Sequence, residues 1–336
     1  MTKTKIGLFA ATLIAASFVS ASASAQQYTM KLSSPTINDI VHEWMKAFKA
    51  GVESRAGGRI KVEIYPASQL GQIPRTVEGV ALGTIECTIP AVGFLIGLEP
   101  RFQVLDAPGL FDDVPHAMRV LTDPEIRQRL ATFGAGKGVE PLSTAVNGPL
   151  LLLSHKPVHT LADFKAQKIR VPGGTPLYLE PFKKLGASPL SMPLGEVLPA
   201  MQNRAIDGLI AAFTVYTSFK YYDVAKGLTY LPGSFLVVSG LVNRNFMKSL
   251  GPELEATVRD EARKADALYS TRGMEDLERV RKTWEANGGQ TIALAPAEAQ
   301  RYLEEVTSVL PPILAANPQM KEDYEALRAA AAKHRK

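Results

Sequence analysis

The stretch Lys168-Ile169-Arg170-Val171-Pro172 is the starting point for predicting the fold of this chain. Apolar Ile169 and Val171 alternate with basic residues, and Pro172 stops the run, which predicts a short strand ending in a loop. The strand would bring the guanidinium of Arg170 to the end of a sheet, where a ligand can approach it. An arginine stays charged at any relevant pH and holds five N–H donors in a fixed fork, so it suits bidentate capture of a carboxylate. The alternative for Arg170 is an ordinary surface ion pair.

The first 25 residues have the composition of a secretory signal peptide. Lys3 and Lys5 precede an apolar run from Ile6 to Val19, and Ala23-Ser24-Ala25 offers small residues for cleavage after Ala25. The apolar run is short for a membrane span, and no cysteine follows the cleavage point to carry a lipid. We therefore expect a soluble, exported chain in the periplasm.

Composition narrows the class of protein further. The chain has 336 residues, 46% of them hydrophobic and 21% charged, enough for two domains of ordinary size. Without Lys3 and Lys5, 36 of the 38 basic residues remain against 33 acidic ones. No basic run with interleaved aromatic residues occurs, so we expect no nucleic-acid partner. The single cysteine, Cys87, lies in a strand-like run, which indicates a buried, inert thiol.

Two segments of the chain alternate strand and helix patterns, which predicts an α/β fold. In the first segment, strand patterns at 28–33, 59–65 and 85–90 alternate with helix patterns at 39–56 and 74–82. In the second, strand patterns at 168–172, 188–192 and 205–210 alternate with helix patterns at 175–185 and 195–203.

The connections between these segments are also predictable. An apolar strand run at 142–153 is interrupted by Asn147-Gly148-Pro149, and further strands are expected at 228–231 and 235–243. From Pro252 to Asn287 the pattern is helical and is broken only at Gly273. Such a helix would be ~50 Å long, so we expect it to brace two lobes.

No motif for catalysis or metal binding occurs. His155 and His159 have the spacing of a helical metal site, but Pro157 lies between them and argues against a helix. The chain has no Gly-x-Ser-x-Gly elbow, no His-Glu-x-x-His and no paired-cysteine motif. We expect no enzyme activity, no metal and no cofactor.

Instead, the pattern favours capture of a small acid between two lobes. Two-lobe proteins bind ligands in the cleft between the lobes, and hinge closure buries the ligand. A buried carboxylate needs compensation of its charge. Arg170 could supply it through two charge-assisted hydrogen bonds, each contributing ~1.5–3 kcal/mol.

Seven motifs, taken in chain order, carry a family resemblance. They are Gly58-Arg59-Ile60-Lys61-Val62-Glu63-Ile64-Tyr65-Pro66 with Gln69-Leu70-Gly71, Gly83-Thr84-Ile85-Glu86, Leu161-Ala162-Asp163-Phe164, Lys168-Ile169-Arg170-Val171-Pro172, Leu185-Gly186-Ala187-Ser188-Pro189, Pro193-Leu194-Gly195-Glu196-Val197 and Ile206-Asp207-Gly208. Together they resemble the DctP-type solute receptors of tripartite ATP-independent periplasmic (TRAP) transporters over nearly the whole mature chain.

The resemblance implies two α/β lobes joined by crossing strands and a long helix. We expect lobe I to comprise 26–148 and 237–336 with the C-terminal helices, and lobe II to comprise 149–236. The resemblance also implies a periplasmic receptor that closes on an organic acid and delivers it to the membrane subunits of a sodium-driven transporter. Arg170 stands at the family's arginine in the K-x-R-V-P motif, which usually grips the substrate carboxylate.

Two positions depart from the family pattern. The family often has an arginine shortly after its Asn-Gly turn, where Leu150 follows Asn147-Gly148-Pro149 here, and an asparagine ligand contact where Ala211 stands. A C4-dicarboxylate would then leave buried polar groups unpaired, at ~1–3 kcal/mol each. We therefore expect a monocarboxylate with an apolar or aromatic body. The candidate ligand-binding residues are Arg170, Phe94, Asn147, Leu150, Ala211, Phe213, Tyr216 and Phe235.

Three alternatives remain open from the sequence. The chain could be a receptor for C4-dicarboxylates, despite its two departures. It could be a secreted α/β enzyme acting on small acids, with a base near Arg170 in the folded cleft. It could also use the receptor fold for sensing, docked to a kinase ectodomain in place of a transporter.

Overall fold

The computed structural model describes residues 28–335. The predicted signal peptide and its cleavage site lie outside this range. Nine strands of the described chain form one mixed sheet in the order β2-β1-β3-β8-β4-β7-β5-β6, with β9 beside β8. The strands are β1 (Tyr28–Ser33), β2 (Ile60–Tyr65), β3 (Cys87–Thr88), β4 (Val139–Ser154), β5 (Lys168–Val171), β6 (Ser188–Ser191), β7 (Gly208–Ala212), β8 (Gly227–Asn243) and β9 (Gln290–Ile292).

Thirteen α-helices of the described chain cover this sheet. They are α1 (Ile40–Arg55), α2 (Ile73–Leu82), α3 (Val114–Leu121), α4 (Pro124–Leu130), α5 (Pro176–Lys184), α6 (Leu194–Gln202), α7 (Phe213–Ser218), α8 (Arg244–Ser249), α9 (Gly251–Thr271), α10 (Gly273–Ala286), α11 (Pro296–Thr307), α12 (Leu310–Ala315) and α13 (Pro318–His334). Short 3₁₀ turns at Val92–Phe94 and Pro100–Asp106 connect β3 to α3. Between residues 28 and 335, none of the helices combines the length and apolar character that a membrane crossing requires.

Two long strands run through both halves of the sheet. β4 and β8 pair antiparallel along most of their length, from Val139 opposite Asn243 to Ser154 opposite Gly227. At one end β8 pairs with β3, and β1 and β2 extend the sheet beyond β3. At the other end β4 pairs with β7, and β5 and β6 extend the sheet beyond β7. This arrangement confirms the predicted α/β fold of two lobes joined by crossing strands.

The crossing strands are more continuous than the sequence suggested. Asn147-Gly148-Pro149 and Pro232-Gly233 were expected to separate short strands, yet β4 and β8 each continue through these residues. The chain stays extended because the ladder changes register between Val146 and Gly148 and again between Pro149 and Leu151. The first shift is a bulge with one extra residue in β4, and at the second, residues 231–234 of β8 lie opposite Leu150 alone; such irregularities bend a strand without ending it.

The predicted bracing helix is present, with a break at Arg272. α9 packs against α1, where the indole nitrogen of Trp44 donates to Asp266 at 2.9 Å. α10 packs against α7, where Trp284 contacts the ring of Phe213 with centroids 6.5 Å apart. The two helices therefore hold elements from both halves of the sheet. The predicted lobe boundaries at 148/149 and 236/237 stay a prediction.

Cys87 is fully buried in β3, opposite Val242 of β8. Burial raises the pKa of its thiol far above the usual range. A neutral, buried thiol is a poor nucleophile, which agrees with the inert role expected from the sequence.

Candidate ligand-binding site

β5 places the side chain of Arg170 inside the protein. The strand lies between β6 and β7, parallel to both, and its first residue, Lys168, is exposed whereas Arg170 is only 2% exposed. The Nε of Arg170 donates to the carbonyl of Met192 at 3.0 Å, and Nη1 donates to the carbonyl of Ile210 at 3.2 Å. A guanidinium has five N–H donors, so these two bonds fix its orientation and leave donors for a ligand.

The charge of Arg170 has no acidic partner among residues 28–335. No described carboxylate forms an ion pair with it, and the ionisable side chains that act on it are the phenols of Tyr221, Tyr216 and Tyr178. Burial lowers the pKa of Arg170 to about 10, so the group is still cationic near neutral pH. A buried charge is costly unless it is paired. The site therefore favours an anion from outside the protein.

The guanidinium borders a small apolar cavity between the halves of the sheet. The cavity is small. The space open to the centre of a water molecule is about 40 Å³, which is enough for a few water molecules. Three polar side chains, those of Thr36, Asn147 and Arg170, are found in its lining. The remaining lining residues are Pro35, Val41, Ile73, Ile89, Ala91, Phe94, Pro172, Leu194, Ala211, Val215, Leu236 and Val238.

Four of the eight residues predicted for the ligand site meet at this cavity. Phe94 comes from the 3₁₀ turn after β3, Asn147 from the centre of β4, and Ala211 from β7, and all three line the space beside Arg170. Elements far apart in the sequence therefore converge on one point. Whether each side chain touches a ligand stays a prediction.

The structure does not bring the other four to the cavity wall. The ring of Phe213 packs against Trp284, and the hydroxyl of Tyr216 donates to the carbonyls of Leu151 and Leu209 at 2.7 and 2.9 Å. These contacts make both aromatic residues part of the packing between α7, α10 and the sheet.

Leu150 and Phe235 also lie elsewhere. Leu150 is 1% exposed and belongs to a second core cluster, together with Ile210 and Phe182. The ring of Phe235 packs edge-on against Phe111, with centroids 6.3 Å apart. Because Leu150 is outside the cavity lining, the apolar character of the cavity comes from Ala211 and the aliphatic walls.

Most of the wall was not foreseen from the sequence. Ile73, Ile89, Val215, Leu236 and Val238 are aliphatic residues in helix and strand patterns that also suit an ordinary core. An apolar side chain carries the same periodicity whether it faces another side chain or a cavity. No signal in a single sequence distinguishes the two cases.

Two contacts that involve glycines join elements that contribute residues to the cavity wall. Gly93 and Gly173 lie so close that a Cβ on Gly173 would stand 2.7 Å from the Cα of Gly93 and closer still to its carbonyl. In the second contact, the backbone N–H of Gly195 in α6 donates to the side-chain oxygen of Gln72, at the start of α2, at 3.3 Å. Each contact joins an element beside β1, β2 and β3 to an element beside β5 and β6. The two halves of the sheet are therefore in contact in the described conformation, which we call closed.

A metal site has no support among the described residues. From Tyr28 to Arg335, no group of three or more His, Cys, Asp or Glu side chains is arranged to hold an ion. The ring of His155 instead lies 2.9 Å from the carbonyl of Met201.

Comparison with known proteins agrees with this fold. Residues 33–317 match the family model described as bacterial extracellular solute-binding protein, family 7, of the DctP type. The chain is 30% identical over 274 residues to the 2,3-diketo-L-gulonate-binding periplasmic protein YiaO of Escherichia coli, covering 81% of this chain and 82% of that protein.

Solved structures show the same architecture. A TRAP periplasmic solute-binding protein from Desulfovibrio salexigens, solved with orotic acid, is 25% identical and superposes with a TM-score of 0.86, covering 92% of this chain and all of that one. A second, from Roseobacter denitrificans with β-D-glucuronate, is 24% identical with a TM-score of 0.82, covering 90% and 99% of the two chains, and shows the fold alone. The proteins of this family are solute receptors of the periplasm and not enzymes. The chain therefore belongs to the DctP family of solute-binding proteins and is a periplasmic solute receptor of the TRAP type.

Proposed function

We propose that this receptor captures a small monocarboxylate with an apolar body in the cavity beside Arg170. The observation that carries the proposal is a buried guanidinium with no acidic partner among the described residues, facing an almost wholly apolar space. The ligand carboxylate supplies the missing negative charge. Its hydrocarbon part displaces water from the aliphatic walls, which is favourable in proportion to the apolar area that it covers.

A single carboxylate fits the charges of the cavity. Among its described lining residues, Arg170 is the one charged side chain. A second carboxylate in the same space would be buried without a cation, at a cost of several kcal/mol. Orotic acid and the uronic acids bound by related structures are richer in polar groups, whereas the wall here includes Ile89, Val215 and Leu236.

Closure and delivery complete the proposal. We place the lobe boundaries at 148/149 and 236/237, where the register shifts of β4 and β8 give the crossing strands room to bend. The closed receptor then passes its ligand to the membrane subunits of a TRAP transporter. The signal peptide is removed after Ala25 before this cycle begins.

A thermal-shift and calorimetry panel on the mature protein tests the ligand class. The probes are 3-methylbutanoate and benzoate as apolar monocarboxylates, succinate as a C4-dicarboxylate, and D-galacturonate as a polar monocarboxylate. A ligand at about 100 times its Kd stabilises the folded protein by ~2.7 kcal/mol. We expect the apolar monocarboxylates to bind most tightly. Tighter binding of succinate would support the dicarboxylate alternative and refute the proposal, as would a clear preference for galacturonate.

A further inference from the structure

We infer that the ligand carries a hydroxyl group close to its carboxylate and that Asn147 holds this hydroxyl. The inference rests on the proposed function, because it assumes that the carboxylate lies on Arg170. It narrows the ligand class from an apolar monocarboxylate to a short hydroxy acid with a hydrocarbon remainder. Apart from Arg170, the described lining of the cavity offers two polar side chains to such a ligand, those of Asn147 and Thr36.

The amide oxygen of Asn147 is buried without a hydrogen-bond partner. The residue is 6% exposed, and its Oδ1 has no partner within the described chain. More than nine in ten buried polar groups have a partner, and leaving one unpaired costs free energy. Burial raises the pKa of Asp39 to about 6, and a side-chain hydrogen bond between Thr36 and that carboxyl acts in the opposite direction, so the Thr36 hydroxyl already has a partner. Asn147 is therefore the polar group of the cavity that still needs a partner.

The bulge in β4 explains why this side chain faces the cavity. Val146 stands opposite Val237 and Gly148 opposite Leu236, so Asn147 is the extra residue at the register shift. Gly148 adopts a φ of 145°, which a residue with a side chain rarely reaches. Bulges beside functional sites commonly redirect one side chain, and here the redirected side chain lies in the cavity wall.

The chemistry of the amide selects the ligand group. The unpartnered atom is Oδ1, an acceptor, so its partner must donate a hydrogen bond. A hydroxyl does so, whereas an oxo group at the same carbon cannot. Because the cavity is small, a ligand anchored on Arg170 has its carbon 2 or carbon 3 within reach of the opposite wall. The remaining walls are aliphatic and favour hydrocarbon.

Four acids with one carbon skeleton test this inference by calorimetry. The probes are 3-methylbutanoate, 2-hydroxy-3-methylbutanoate, 3-hydroxy-3-methylbutanoate and 3-methyl-2-oxobutanoate. We expect one of the two hydroxy acids to bind at least about tenfold more tightly than 3-methylbutanoate, since a site built for a hydrogen bond discriminates against an analogue that lacks it. The oxo acid should bind no more tightly than the unsubstituted acid.

Two variants assign the preference to Asn147. Asn147→Leu should reduce the preference for the hydroxy acid over 3-methylbutanoate to less than about threefold; Asn147→Ala is the second choice if the leucine disturbs folding. Thr214→Val is the matched control, because the Thr214 hydroxyl is also buried and unpartnered but does not line the cavity. It should leave the preference unchanged.

The outcomes separate this inference from the proposed function. Equal binding of the hydroxy acids and 3-methylbutanoate overturns the hydroxyl assignment alone, and so does a preference that survives in Asn147→Leu. An oxo acid that binds as tightly as the hydroxy acids also overturns it, because the amide would then be donating. Absence of binding by all four acids refutes the proposed monocarboxylate class and the inference with it.

Discussion

The backbones of Gly93 and Gly173 touch across the cleft. Gly93 lies in the 3₁₀ turn after β3, and Gly173 follows Pro172 at the end of β5. A Cβ on Gly93 would stand 2.5 Å from the carbonyl oxygen of Pro172, far inside van der Waals contact. The closed conformation therefore depends on the absence of a side chain at both positions.

Gly93→Ala should hinder closure while sparing the folded lobes. Gly93 does not adopt a positive φ, so the added methyl group acts by its clash with Pro172. Separation of the lobes removes that clash. We expect at least about a tenfold loss of affinity for the best acid of the panel, with a change of less than about 1 kcal/mol in the stability of the ligand-free protein.

Calorimetry and small-angle scattering measure the two effects of this substitution. Gly97→Ala is the control, because a Cβ at Gly97 would meet nothing within 4 Å. If Gly93→Ala binds the ligand as tightly as the parent, and its radius of gyration decreases as much as that of the parent when ligand is added, the contact is not needed for closure.

Arg170→Met should separate binding from stability. Two charge-assisted bonds to a carboxylate contribute ~1.5–3 kcal/mol each, so we expect affinity to fall by at least about 100-fold. The ligand-free variant should be no less stable than the parent, because an unpaired buried charge is costly to the folded state and methionine removes it.

Chemical denaturation and calorimetry test this pair of expectations, with Lys168→Met as the control at the exposed first residue of β5. Affinity retained in Arg170→Met would mean that another group holds the acid. A large loss of stability would indicate that the two carbonyl contacts of Arg170 are structural supports.

Ala211→Asn should weaken binding of apolar acids. Ala211 lines the cavity, and an amide placed there would be buried without a partner when an apolar ligand binds, at ~1–3 kcal/mol. We expect roughly a tenfold loss of affinity for 3-methylbutanoate and a smaller loss for D-galacturonate. Ala211→Val adds bulk without polarity and should weaken the binding of both ligands by similar factors. Equal losses in the asparagine variant would argue that size, and not polarity, sets the preference at this wall.

Asp106 should make stability depend on pH. Neither oxygen of its buried carboxyl group has a hydrogen-bond partner at bonding geometry, and the neighbouring hydroxyl of Tyr178 from α5 is the one side-chain group that partly offsets the cost of burying its charge. The small cavity that Asp106 and Tyr178 share contains no basic residue in its described lining. Burial raises the pKa of Asp106 well above its ordinary value of 3.8.

The sign of this effect follows from linkage. The folded protein keeps a proton on Asp106 that the unfolded chain releases above about pH 4. The contribution of Asp106 to stability is therefore complete below that pH and is lost as the pH rises toward the raised pKa of the folded state. Asp106→Asn removes the titration, so the variant should gain stability relative to the parent between about pH 5 and pH 8.

Urea unfolding at several pH values measures this gain. Asp112→Asn is a control of opposite sign, because Arg335 lowers the pKa of that carboxyl; the variant should be slightly less stable at neutral pH. A stability difference between parent and Asp106→Asn that does not change with pH would show that Asp106 does not carry a buried proton.

The sequence by itself determined the elements and their class. The alternation in Ile60–Tyr65 and Lys168–Val171 predicted strands, and the helical stretch with its break near Gly273 became α9 and α10. These elements follow from local periodicity and from the backbone preferences of glycine and proline, which act within a few residues. The motif around Arg170 predicted, through its resemblance to a known family, that this side chain binds a carboxylate.

The tertiary structure alone decided which side chains meet the ligand cavity. Phe213 and Tyr216 pack around Trp284, and Leu150 lies in the second core cluster, whereas Ile89 and Val238 form cavity walls. The bulge at Asn147 depends on how β4 pairs with β8, which is a contact between distant parts of the chain. Periodicity records that a side chain is covered, but what covers it is fixed only when the two halves of the sheet come together.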